Sequence, residues 1–152
     1  MQGTTIGRVL SIALRCREKD KMTEVPEAAA VQNGGLEGDL ASRPERGITF
    51  IAARQWEEVQ RELGVEIPWY TRRANVLVDA DSLGHLIGRR IRVGEAEVQV
   101  HAETEPCGLM DRLEPGLRLA LTPDCRAGVH GRVVRAGRIR VQDEIVLADE
   151  QE

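Results

Sequence analysis

The feature that most limits what this chain can fold into is a succession of short apolar runs, each cut off by glycine, proline or a polar turn. The clearest is Ala96, Val98, Val100 and Ala102 alternating with Glu97, Gln99, His101 and Glu103. A period of two sends alternate side chains to opposite faces, so this stretch predicts a strand with one buried and one wet face. Ile91 and Val93 precede it across Gly94 and Glu95, and a Gly-X connection suits a tight hairpin. Further strands are predicted over residues 4–14, 48–51, 75–78, 129–135, 139–141 and 145–147, all rich in β-branched or aliphatic residues. Only one segment has a clear helical period: Ala53, Trp56, Val59, Gln60 and Leu63, stopped by Gly64. Trp56 on that face reads as a packing anchor. Many strands with one clear amphipathic helix and short helical insertions predict a mostly β fold, a β-barrel.

At 152 residues the chain suits a single domain over 1–152, with a loop excursion at 17–33 and a flexible tail at 148–152. Aromatics are only 3% of residues, so the core must be aliphatic. The net charge of −4 and the missing basic stripe with interleaved aromatics weigh against nucleic acid as a partner. The apolar stretch near the N-terminus is interrupted by Ser11 and stopped by Arg15, and no other run approaches the roughly 20 apolar residues of a membrane span. A cytoplasmic protein with no membrane partner is the expectation. Cys16, Cys107 and Cys125 are odd in number and lack CxxC spacing, which weighs against a disulfide framework or a cysteine-rich zinc site. Of the 21 basic residues only Lys19 and Lys21 are lysines, and arginine is the better fork for oxyanions.

The passage with most chemical content runs from Glu103 through Thr104, Glu105, Pro106, Cys107 and Gly108 to Asp111. A strand feeds a Pro-Cys-Gly turn: proline fixes the approach, glycine leaves the thiol uncrowded, and a helix starting after Cys107 would favour the thiolate. Such a cysteine can be a nucleophile, a sulfur carrier or a soft metal ligand. Cys16 and Cys125 read as structural, and His101 as a solvated strand residue. A second, basic constellation lies at two strand starts: Arg72, Arg73 and Asn75, then Arg126 followed by His130 and Arg132. Arginine forks and an amide donor there can meet phosphate or pterin-like edges, and equally can pair with carboxylates such as Asp124. The glycine-rich residues 33–39 lack both dinucleotide-site spacing and a phosphate-loop lysine. No carboxylate pair is spaced so as to nominate an acid/base couple.

Taken in order, these segments resemble the MOSC family, named for the C-terminal domain of the molybdenum cofactor sulfurase. The matching pieces are Gly35-Leu36-Glu37-Gly38-Asp39, Arg72-Arg73-Ala74-Asn75, Leu86-Ile87-Gly88 through Val93-Gly94, Thr104-Glu105-Pro106-Cys107, and Arg126-Ala127-Gly128-Val129 on to Gly137, Ile139 and Asp143. The resemblance implies a barrel like the small domain of pyruvate kinase. It also implies the molybdenum cofactor (molybdopterin), with the Cys107 thiolate on the metal or carrying sulfur, and a looser family-level association with pyridoxal phosphate. Arg73, Asn75, Thr104 and Arg126, together with Arg72 and His130, would then grip the pterin and its phosphate. The partners implied are a cysteine desulfurase or an external electron donor. Gln142 stands where this family usually has a glycine before Asp143, which predicts a different turn type in the last hairpin.

Overall fold

The computed structural model describes residues 3–15, 22–40 and 47–149. They contain strands β1 (Thr5–Arg15), β2 (Met22–Val25), β3 (Glu27–Ala30), β4 (Ile48–Ala52), β5 (Val76–Val78), β6 (Arg90–Val93), β7 (Ala96–Glu103), β8 (Val129–Arg135), β9 (Gly137–Arg140) and β10 (Glu144–Leu147). The α-helices among them are α1 (Ala53–Leu63), α2 (Gly108–Leu113) and α3 (Leu117–Leu121). Seven strands close into a barrel in the order β10-β6-β7-β8-β4-β5-β1, and β1 returns to β10 through pairs such as Thr5↔Val146 and Arg8↔Glu144. Strand β2 extends the sheet beyond β1, and β3 pairs with β9 in a small second sheet. The predicted β-barrel with one long helix is the architecture observed.

The stretch read as a loop excursion departs from that expectation. Its described part holds β2, paired to β1 from Ile12↔Val25 to Arg15↔Met22, and β3, paired to β9 from Glu27↔Arg140 to Ala30↔Gly137. The inward residues of β3 are Ala28 and Ala30, 5% and 3% exposed, and alanine carries little strand signal. Cys16, the rest of that stretch (17–21) and residues 150–152 of the expected tail lie outside the described residues.

Alternation sorts the core into two layers. Val9, Ile12, Phe50, Val76, Val98, Val129 and Ile145 fill the barrel, while their neighbours Ala13 and Ile51 point outward and pack with Trp56, Trp69, Leu117 and Leu121 under the helices. Trp56 is the packing anchor its spacing predicted, 4% exposed. Strands β4 and β5 run parallel, which requires a crossover, and α1 supplies it. The helix ends where Gly64 turns left-handed at φ 68° and its N–H returns to the Arg61 carbonyl at 3.3 Å.

Just before β5, Asn75 ties β1 to β4. The Thr49 N–H donates to its Oδ1 at 3.0 Å and its Nδ2 donates to the Ala13 carbonyl at 3.2 Å. Its own N–H reaches the Thr49 carbonyl at 2.9 Å, and its carbonyl accepts from Ala13 at 2.8 Å. In the last hairpin Gln142 holds a left-handed conformation at φ 80°, and the Asp143 N–H closes the turn on the Arg140 carbonyl at 3.0 Å. The conformation a glycine would adopt is therefore kept by a residue with a Cβ.

Gly128 sits at φ 94°, and a Cβ there would run into the Phe50 carbonyl oxygen of β4. Gly128→Ala is expected to cost about 3 kcal/mol, roughly 10 °C in thermal midpoint. Gly64→Ala, equally left-handed but with open space around it, is expected to cost only about 1 kcal/mol. Thermal unfolding of both variants checks the contrast.

Candidate functional site

The long hairpin of β7 and β8 carries the site. Its register slips between Val100↔Gly131 and Ala102↔His130, leaving His101 as the extra residue of a β-bulge. A bulge bends its strand and re-aims the side chains beyond it. Just past β7, Thr104 is buried: its N–H donates to the Gly128 carbonyl at 2.9 Å, and its Oγ1 shares a 3.0 Å hydrogen bond with His130 Nδ1. His101 is exposed, as expected of a solvated strand residue, with its ring centroid 5.8 Å from that of His130. Pro106 leads to Cys107, which stands in extended conformation immediately before α2 with its thiol exposed.

Cys107, His130, Arg118, Glu103 and Glu105 face an open cleft of about 650 Å³. That volume is in the range of small-molecule sites. The space bounded by Ile6, Phe50, Leu86, Val129 and Ile145 inside the barrel leaves no room for a water molecule, so the lumen admits no ligand, whereas the cleft at the rim is open to one.

The structure brings Cys107, Thr104 and His130 together, while Arg72, Asn75 and Arg126 bond to other parts of the fold. Arg72 is buried and its Nε donates to the Ala127 carbonyl at 3.0 Å. Arg73, at φ 67°, closes the 3-10 turn Trp69–Arg72. Asn75 is spent on β1 and β4. Arg126 is turned toward α1: its guanidinium lies 2.9 and 2.8 Å from the Glu62 carboxylate oxygens and 3.8 Å from Glu58, and it donates to the Ala120 carbonyl at 3.0 Å. Arg72, Asn75 and Arg126 thus make internal bonds to neighbouring carbonyls and carboxylates, as buried polar groups at strand starts do.

The motifs nonetheless meet in space. Asp39 accepts from the Arg15 N–H at 2.6 Å and bonds the Asn75 side chain; Asn75 holds Thr49, which pairs across the sheet with His130. His130 holds Thr104, and Arg72 braces Ala127 one residue before the Gly128 carbonyl that receives Thr104. Burial pushes the Asp39 carboxyl up, against the lowering influence of its bond to Arg15.

Glu103 and Glu105, part of the passage around Cys107, belong to the cleft, and so does Arg118, which was not singled out in the sequence. Arg118 lies in α3, where its spacing signals only an exposed helical position; its nearness to Cys107 comes from the turn between α2 and α3. Cys125 lies close to the same cleft. It follows Asp124 in two consecutive left-handed residues, φ 52° and 56°, and its thiol donates to the Glu103 carboxylate. Burial first, then the charge of Glu103 and its hydrogen bond, push the Cys125 thiol up.

Residues 37–146 match the family model for the MOSC domain. The chain belongs to the MOSC domain family. Solved structures share the fold of this MOSC domain. YuaD from Bacillus subtilis superposes with a TM-score of 0.79 at 20% identity, covering 91% of this chain and 93% of that one. YiiM from Escherichia coli gives 0.72 at 18% identity, covering 95% and 71%, and YiiM from Geobacillus stearothermophilus gives 0.75 at 17%, covering 93% and 75%. No curated protein matches the sequence. Among the described residues no group of three or more His, Cys, Asp or Glu side chains could hold a metal ion by itself, and no helix is long and apolar enough to cross a membrane.

Two outcomes follow for this MOSC domain. With iodoacetamide at neutral pH, Cys107 should be alkylated faster than Cys125, because Cys125 is half-buried and its thiol is held protonated; peptide mass spectrometry reads both sites. The hydrogen bond from Arg126 holds Glu62 below its ordinary 4.5. A lowered folded value stabilises above the unfolded value and loses that contribution as pH falls through the folded one. Denaturant unfolding from pH 6 downwards should therefore lose stability more steeply in the native chain than in Glu62→Gln.

Proposed function

We propose that this MOSC domain uses Cys107 to hold a molybdenum–pterin cofactor, or its sulfurated form, in the cleft at the barrel rim. The observation that carries this reading is an exposed thiol, fixed by Pro106 and the start of α2, opening on a space of about 650 Å³ beside the buried Thr104–His130 pair. A thiolate is a soft ligand suited to such a metal, and the cleft is large enough for a cofactor of that class. Bound there, the cofactor supplies redox or sulfur-transfer chemistry. Thr104 fixes the His130 ring on the cleft wall, and the Gly128 carbonyl fixes Thr104. The domain acts as a carrier or as the catalytic part of a small reductase system, with electrons from a separate donor protein.

A metal-free reading is supported by the same exposed thiol together with the engagement of Arg72, Asn75 and Arg126 in internal bonds. The Cys107 thiolate would attack the outer sulfur of a desulfurase persulfide, the S–S bond would break, and the desulfurase thiolate would leave.

Protein purified from a molybdenum-replete host is expected to carry molybdenum and pterin near one per chain, lost in Cys107→Ala. Metal analysis together with pterin fluorescence checks this, and no molybdenum or pterin in either protein overturns it. A sulfur adduct on Cys107 after incubation with a cysteine desulfurase and cysteine, in protein free of molybdenum, identifies the relay.

A further inference from the structure

We infer that Arg118 makes the approach to Cys107 selective for anions, so that the molecule meeting this thiol carries an oxyanion such as a phosphate or carboxylate. The inference deepens the reading of Cys107 as the working thiol and rests on it.

Arg118 is the one arginine or lysine on the cleft wall among the described residues. Several arginines elsewhere are committed to ion pairs: Arg54 to Asp79 and Asp81, Arg89 to Asp149, Arg126 to Glu62, and Arg138 to Glu27. The Arg118 guanidinium has no ion pair among the described residues, although the acidic Asp111 is close by. The Asp111 carboxylate accepts instead from the Arg118 main-chain N–H at 3.1 Å. On the other side the Arg118 carbonyl accepts from Thr122 Oγ1 at 2.8 Å, and Leu117 and Leu121 anchor the same short helix in the core. The main chain is thus pinned on both sides while the planar fork stays available, and such a fork matches the two oxygens of a carboxylate or phosphate.

The cleft also contains carboxylates, and their placement sets the polarity. Glu103 accepts from the Cys125 thiol, which draws it toward that residue, and Glu105 is exposed on the segment leading to Cys107. The cationic partner for a ligand's anionic group in this cleft is therefore on the α3 side, at Arg118.

Iodoacetate and iodoacetamide test this without any cofactor, since both lose iodide to a thiolate and differ chiefly in charge. Their rates at Cys107 are followed by peptide mass spectrometry on the full chain at low ionic strength. The iodoacetate to iodoacetamide rate ratio should exceed that of 2-mercaptoethanol. It should fall about two- to fivefold in Arg118→Ala, remain high in Arg118→Lys, and shrink on adding salt. A native ratio at or below that of 2-mercaptoethanol overturns the inference, as does an unchanged ratio in Arg118→Ala or a Lys variant that falls as far as Ala. If Arg118→Ala is poorly folded, Arg118→Gln gives the same reading. Charge selectivity without bound molybdenum rejects the cofactor reading alone, and bound molybdenum without charge selectivity rejects this inference alone.

Discussion

A ring of strands closes only if every member finds a hydrogen-bonding neighbour on both sides, and in this domain β1 meets that condition three times along its length. Its first part pairs with β10, its middle with β5 and its last residues with β2. Irregularities between Thr5 and Gly7 and between Val9 and Ser11 let one strand coil enough to serve all three. Where β5 is too short to continue the ladder, the Asn75 carboxamide bonds both β1 and β4. Closure with small aliphatic side chains fills the lumen, which places binding chemistry at the rim.

The rim site depends on that closure through a relay of contacts. Asn75 fixes Thr49, β4 aligns Thr49 with His130, and His130 holds Thr104, three residues before Cys107. Residues scattered from Asp39 to His130 in sequence are consecutive in space. Their common order reflects the assembly of one end of the barrel, even though only some of them reach the cleft.

Much of the fold was legible because its signals are local. The alternation from Ala96 to Glu103 and the helical spacing from Ala53 to Leu63 each appear as read. Strands β2 and β3 were hidden because one is polar and exposed and the other turns alanines inward. At the site, the exposed turn position of Cys107 was readable from its neighbours, whereas the ion pair of Arg126 was not. Arginine chemistry is the same whether the partner is a ligand or Glu62, and the choice is made by α1, 64 residues away in sequence. Arg118 was invisible for the converse reason: an exposed helical arginine looks ordinary until tertiary packing sets it beside a thiol.

The turn at Gln142 shows what closing the barrel demands of the backbone. A side chain held at φ 80° stores strain on the order of 1 kcal/mol that a glycine would not. The backbone path there is imposed by its surroundings: the Gln142 N–H donates to the Val9 carbonyl at 2.7 Å, and its carbonyl accepts from Arg8 at 3.0 Å. The seam beside β1 thus dictates the turn: two bonds to neighbouring residues of that strand hold Gln142 in a conformation its own side chain disfavours.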